Sequence, residues 1–133
     1  MKFFGLILCL FFLTSCTQST VQQNNKLASA IETVLEDNEE KAIDLTNFAD
    51  FKWDKAYIFH PYTTQSIIDR QLNVDFKDPS NMSSRDDIYL LVFLQDEKVV
   101  QYAEISREHG ELTMNSKDGI TPSEPIIELK PSY

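Results

Sequence analysis

The first regular pattern along the chain is a set of apolar side chains at helical spacing. Between Leu27 and Leu35 the apolar positions recur at intervals of three and four residues, which is the repeat of one helix face. Asn25, a residue type that caps helices, stands just before them. Acidic residues crowd the far end, where the helix dipole disfavours them. The pattern therefore predicts a helix over residues 26–38.

Two apolar runs predict strands in the middle of a sheet. Lys55 to Phe59, KAYIF, is rich in aromatic and β-branched residues and ends before Pro61, which lacks a backbone donor. Ile88 to Leu94, IYLLVFL, is apolar at every position. A strand without a polar face needs cover on both sides. We therefore expect residues 88–94 to form a central strand.

Weaker patterns extend this sheet and add a second helix. Thr63 and Thr64 are suited to cap a short helix that reaches Leu72. Residues 75–87 are mostly polar and predict an exposed, mobile loop. The remaining predicted elements are a short strand at 42–45, strands at 99–106 and 112–114 that complete a meander over 88–116, and an edge strand at 126–129.

These elements together predict an α+β fold. The N-terminal helix and the short second helix would pack on one face of a mostly antiparallel sheet of about four to six strands.

The N-terminal residues have the pattern of a secretory signal. Lys2 supplies one positive charge, and the apolar run from Phe3 to Leu13 is eleven residues long. A helix needs about 20 residues to cross a bilayer, so this run is too short for a span. Small residues follow it, as at a cleavage site. We interpret residues 1–15 as a signal peptide.

The end of that segment, Leu13-Thr14-Ser15-Cys16, resembles the lipobox of bacterial lipoproteins. The resemblance implies cleavage before Cys16 and a lipid on its sulfur, which would attach the protein to a membrane. Thr17 then follows the lipidated cysteine. In sorting of the enteric type, a residue other than Asp there favours the outer membrane, facing the periplasm. A Gram-positive cell surface is the alternative.

Cleavage at this position would leave a mature chain of 118 residues. Residues 16–25 are polar and predict a lipidated tether, followed by a single domain over 26–133. Because the signal holds one of the 12 basic residues and none of the 21 acidic ones, the mature charge is −10. This excess of acid argues against a nucleic-acid partner. Cys9 would leave with the signal, so the mature chain would have no disulfide.

The densest aromatic cluster stands at residues 53–63. Its sequence, WDKAYIFHPYT, resembles a W-D-K-x-Y-I-F-x-P-Y-T pattern of small secreted or lipid-anchored bacterial proteins. The resemblance implies a shared fold and brings no activity. Two interpretations stay open for the cluster. Its aromatic residues pack in the core, or Trp53, Tyr57, His60 and Tyr62 bind a partner, since tyrosine and tryptophan suit interfaces.

Catalytic and metal-binding patterns are weak in this sequence. The chain has two histidines and no zinc-binding histidine spacing. The acids Asp75, Asp78, Asp86 and Asp87 do not match a calcium loop. We therefore predict no catalytic residue, metal or cofactor.

The sequence favours a non-enzymatic binding or interaction module of the cell envelope, with an envelope protein as its partner. The alternative is a small hydrolase. It would use His60 with a neighbouring hydroxyl or acid, namely Ser66, Thr64 or Asp69.

Overall fold

The computed structural model describes residues 21–37 and 42–130. They form an α+β fold with two helices and two sheets, one of four strands and one of three. The coarse fold class is therefore confirmed, although one sheet was expected. The elements are β1 Gln22–Gln23, α1 Asn25–Glu36, β2 Ala42–Asp44, β3 Lys55–Phe59, α2 Gln65–Leu72, β4 Ile88–Gln95, β5 Lys98–Ser106, β6 Glu111–Met114 and β7 Ile126–Lys130.

The larger sheet has the order β1-β5-β4-β3, which places β4 inside it. The side chains of β4 alternate between two cores. Tyr89, Leu91 and Phe93 belong to one core, and Leu90 and Val92 belong to the other. Successive side chains of a strand point to opposite faces, so both faces of β4 are covered. The predicted central strand is confirmed.

The two helices cover opposite faces of the larger sheet. Leu27 and Ile31 of α1 share a core with Leu91. Ile68 and Leu72 of α2 share the other core with residues of β3 and β4. The prediction that both helices lie on one face was wrong. The second sheet packs on the same face of the larger sheet as α1. The opposite face of β4 is therefore covered by α2.

The start of α1 lies one residue earlier than expected. Asn24, not Asn25, is the cap, and its Oδ1 accepts the backbone N–H of Leu27 at 2.9 Å. Directly before it, β1 pairs in parallel with β5. The Asn24 backbone N–H extends this pairing to the Tyr102 carbonyl at 2.8 Å. Strand structure thus begins at Gln22, inside the segment predicted as a tether.

The meander predicted over 88–116 ends after β5. The strands β4 and β5 form a hairpin, whereas β6 pairs with β7 in the second sheet. The predicted edge strand β7 is the middle strand of that sheet, in the order β2-β7-β6. Gly110 lies where the chain passes from β5 in the larger sheet to β6 in the second sheet. Its φ is 131°, and a Cβ there would lie 2.6 Å from the Lys130 carbonyl oxygen. Only glycine fits this close approach.

The segment from residue 75 to 87 packs more closely than its polar composition suggests. Phe76, Ser80 and Met82 are buried. Both carboxylate oxygens of Asp78 accept backbone N–H groups, from Ser80 at 2.8 Å and from Met82 at 2.7 Å. The carboxylate therefore organises the loop. The expectation of an exposed loop holds for most of its positions and fails at Phe76, Ser80 and Met82.

No helix of the described residues has the length and apolar character that a membrane span requires.

Candidate functional site

Strand β3 carries the middle of the aromatic motif, and its side chains alternate between the two cores. Ala56 and Ile58 face one core together with Trp53, while Tyr57 and Phe59 face the other. Trp53 is 8% exposed, and its ring lies edge-on to Phe93 at 5.5 Å between centroids. Most of the motif is therefore structural.

Tyr57 is also a core residue, with 5% of its surface exposed. Its hydroxyl donates a hydrogen bond to the Asp118 carbonyl at 3.1 Å. This bond satisfies the one polar group of a ring that is otherwise surrounded by apolar atoms. Of the two interpretations of the motif, the one with an exposed aromatic surface does not hold for Trp53 and Tyr57. The packing interpretation is correct for both residues.

Tyr62 behaves differently, because its side chain is 63% exposed. Its φ is 64°, a left-handed conformation that costs an L-residue about 1–2 kcal/mol. The Tyr62 backbone N–H donates to the Met82 carbonyl at 2.8 Å, and the Arg85 carbonyl lies 3.3 Å away. The loop at 82–85 thus holds this conformation and keeps the ring in solvent.

A polar network anchors that loop to the larger sheet. The Arg85 guanidinium donates to Asp87 at 2.8 and 2.9 Å and to Glu104 on β5 at 3.2 Å. Ser80 Oγ donates to the same Glu104 carboxylate at 3.0 Å. The hydrogen bonds from Arg85 lower the pKa of the Asp87 carboxyl. Sequence reasoning missed this network, since its members lie up to 24 residues apart.

His60 follows β3 directly and is exposed, although one edge of its ring packs against Tyr89 at 5.2 Å between centroids. Partial burial lowers the pKa of the imidazole, and the positive charge of Arg107 acts in the same direction. The nearby Glu111 carboxylate opposes both effects. On balance the surroundings lower the pKa and favour the neutral imidazole.

The partners that a hydrolase would need are engaged elsewhere. Thr64 Oγ1 and Ser66 Oγ lie 3.1 Å apart and bond to each other. Asp69 accepts a hydrogen bond from Gln65 at 2.8 Å. Within residues 21–37 and 42–130, none of these side chains contacts His60 through a hydrogen bond. The structure therefore does not bring the predicted catalytic set together.

A groove lies between α2 and β6 and includes the His60 side chain. We call it the α2 groove, and its volume is about 480 Å³. Ile67, at its edge, is 40% exposed. Within the described part of the chain, Ile67 and Tyr62 are the two large apolar side chains that are exposed. The groove is lined in part by His60, Thr63, Ile67, Gln71, Met114 and Lys117.

Ile67 was missed as a site residue, yet the sequence contained a signal for it. Ile68 and Leu72 define the buried face of α2. Adjacent residues of a helix point about 100° apart, so Ile67 lies at the edge of the face that Ile68 and Leu72 centre. An apolar side chain beside the core face was therefore predictable from the helical pattern.

A second cavity lies at the other end of β3, beside the turn that joins β4 to β5. We call it the acidic cleft, and its volume is about 710 Å³. Apolar side chains line part of its wall, and carboxylates stand among the lining residues. Its lining includes Asp54, Tyr57, Leu72, Leu94, Asp96 and Glu97.

The described residues contain no group of three or more His, Cys, Asp or Glu side chains arranged to hold a metal ion. Of the four acids considered for calcium, Asp78 holds the backbone of its own loop and Asp87 pairs with Arg85. Cys16, the predicted lipid attachment residue, lies outside the described residues.

Comparison with known protein families, curated proteins and solved structures finds no match for this chain.

Proposed function

We propose that the protein is a lipid-anchored component of the bacterial cell envelope whose folded part binds another envelope protein. The proposed contact surface is Tyr62 with the α2 groove. One observation carries the proposal. The two exposed large apolar side chains of the described residues stand five positions apart, on one loop and the helix that follows it.

The conformation of Tyr62 supports this surface. Backbone strain of this kind persists where the surrounding structure enforces it, and it clusters at binding sites. Here the enforcing contacts are the hydrogen bonds to Met82 and Arg85. Because the backbone of residue 62 is already fixed before a partner arrives, this part of the surface loses no further backbone freedom on binding, which reduces the entropic cost.

The contact residues of the proposal are His60, Tyr62 and Ile67. Trp53 and Tyr57 keep a structural role, because they support β3 from inside the core. The membrane attachment is proposed to act through the lipid on Cys16. An outer-membrane position facing the periplasm is favoured, and a Gram-positive surface is the alternative.

Site-specific crosslinking tests this proposal. A photoreactive phenylalanine at Tyr62 in the full chain, expressed in its own envelope, should give a reproducible crosslinked product with one envelope protein. The same group at Glu108, an exposed residue of the turn before β6, is the control and should not give it. Identical products at both positions, or none at Tyr62, would contradict the proposed surface.

A further inference from the structure

The α2 groove includes the outer edge of strand β3. Ile58, Phe59 and His60 are among its lining residues. β3 is the last strand of the larger sheet, with β4 on its inner side. The outer side of an edge strand presents backbone N–H and C=O groups that no neighbouring strand binds. The groups of β3 that point outward therefore decide what the groove can bind.

The hydrogen bonds of Ala56 identify these groups. Its N–H donates to the Ile120 carbonyl at 2.8 Å, and its carbonyl accepts the Ile120 N–H at 2.7 Å. Both groups of Ala56 thus point away from β4. In an antiparallel ladder, residues that bond one neighbour alternate with residues that face the other side. The N–H and C=O of Ile58 and the N–H of His60 therefore point outward as well.

This edge is paired at Ala56 and open beyond it. The contact with Ile120 is an isolated antiparallel bridge, and the residue that would face Ile58 in the same pairing lies in the turn at 117–118. Within the part of the chain that the structure describes, no side chain or loop backbone hydrogen-bonds the outward groups of Ile58 or the N–H of His60. Two donors and one acceptor of the backbone therefore face the groove.

The open edge has a structural element on each side. α2 covers the sheet face where Ile68 packs, and β6 lies on the opposite face, where Leu112 packs. Ile67 of α2 and Met114 of β6 add apolar surface from the two sides. The groove thus continues the plane of the larger sheet. An extended segment fits it, because its backbone can bond β3 while its side chains alternate between α2 and β6.

The charge of the groove favours one kind of segment. Its described lining residues include no carboxylate, although the chain has 21 acidic residues. Lys117 is the one permanent charge among them. An uncharged or acidic segment therefore avoids here the repulsion that it would meet elsewhere on this acidic protein.

We infer that the α2 groove binds its partner as an added β-strand on the open edge of β3. The inference rests on the function proposed above and specifies the chemistry of the partner, which is an extended, uncharged or acidic segment. In antiparallel pairing, the partner residue opposite Ile58 has its side chain on the same sheet face as Ile58, which is the face of β6. An acidic residue there lies on the side of Lys117, and the residue before it points toward Ile67.

A short peptide tests strand addition on the full chain in an uncharged maltoside detergent. The probe is acetylated, amidated Thr-Val-Thr-Val-Glu. Its glutamate is placed last, opposite Ile58, because Ile120 already pairs with the next position of β3. One control peptide is methylated on the glutamate nitrogen, which removes the N–H that would bond Ile58. A matched control is methylated on the preceding valine nitrogen, which points away from β3.

We expect the two methylated peptides to differ in affinity. Methylation of the glutamate nitrogen should weaken binding about five-fold, as for the loss of one hydrogen bond. Methylation of the valine nitrogen should weaken it by less than about two-fold. Binding is measured by NMR titration of the backbone amide signals.

Amide hydrogen exchange reports the new backbone bonds directly. In the free protein, the N–H groups of Ile58 and His60 should exchange faster than those of Tyr57 and Phe59, which face β4. With about nine-tenths of the protein bound to the probe, exchange at Ile58 and His60 should slow about ten-fold. Exchange at Tyr57 and Phe59 should change less.

A pair of charge reversals tests the preference for an acidic residue. Lys117→Glu reverses the charge in the groove, and we expect it to weaken binding of the probe about five-fold. Lys98→Glu makes the same change at an exposed position outside the groove. We expect it to weaken binding by less than about two-fold.

Five results would overturn the inference. They are an absence of binding, unchanged exchange at Ile58 and His60 in the bound protein, equal weakening by both methylated peptides, equal weakening by both charge reversals, and protection in the free protein that rises with its concentration. The last would assign the edge to a second copy of the chain. A partner that crosslinks at Tyr62 without protecting these amides would leave the proposed contact surface intact. Absence of the crosslink would overturn that surface itself.

Discussion

Tyr62 differs from the other aromatic residues of its motif in where its ring lies. The residues before it alternate into two cores, whereas Tyr62 follows Pro61, turns into the left-handed region and leaves its ring in solvent. No propensity of tyrosine explains this conformation. The hydrogen bonds from its backbone N–H to Met82 and Arg85 explain it, and they come from a loop twenty residues further along the chain.

Two substitutions of Tyr62 distinguish the effect of its strained backbone from the effect of losing its ring. Tyr62→Gly and Tyr62→Ala both remove the ring, but only glycine adopts positive φ without a steric penalty. We expect the glycine variant to be more stable than the alanine variant by about 1 kcal/mol. Urea unfolding, followed by fluorescence of the buried Trp53, measures the difference. Equal stability of the two variants would show that the conformation of residue 62 carries no strain.

At the scale of elements, strand and helix positions were largely predictable. The run at 88–94 has no polar face, so its burial on both sides follows from its composition alone. Thr64 caps α2 as expected, with its side chain accepting from the Ile67 backbone N–H. These features depend on neighbouring residues. Pairing was less predictable, because which strands lie side by side depends on contacts between distant segments.

β6 and β7 illustrate this limit. Both were recognised as strands, yet β6 was joined to the wrong neighbour and β7 was placed at an edge. Alternating apolar residues identify the buried face of a strand and contain no information about its partner. The partner of β6 is set by the crossing at Gly110, where the Lys130 backbone approaches too closely for any side chain.

The hairpin of β4 and β5 gives a prediction at this scale. Its loop residues Asp96 and Glu97 both have positive φ, which the Asp96→Asn and Glu97→Gly pair relieves. We expect the double variant to raise the free energy of unfolding by about 1 kcal/mol. Thermal or urea unfolding measures the gain. Glu97→Ala retains the strain and should show no gain, so a similar increase in that variant would refute the explanation.

For the whole molecule, the proposed lipid anchor and the position of β1 have a joint consequence. Five residues separate Cys16 from the start of β1 at Gln22, and the six steps from one Cα to the next span at most about 21 Å. Because β1 pairs with β5, a lipid on Cys16 would hold this edge of the larger sheet close to the membrane. The anchor would have to act through acyl chains, since the acidic chain is not attracted to anionic lipid.

Replacement of the two cysteines tests the anchor. We expect Cys16→Ser to abolish incorporation of a labelled fatty acid and to move the protein to the soluble fraction. The apolar run before it is too short to span a bilayer. Cys9→Ser lies in the predicted signal and should leave both properties unchanged. A Cys16→Ser protein that stays in the membrane fraction would show that the lipobox interpretation is wrong.

The sequence by itself determined the properties that depend on local order. These are the α+β class, the doubly covered strand β4 and the capped helix α2. The tertiary structure alone decided that Trp53 and Tyr57 are core residues and that Tyr62 is exposed. It also brought Asp54 to the β4–β5 turn. Burial and proximity depend on which distant segments pack together, and residue type and spacing do not specify that packing.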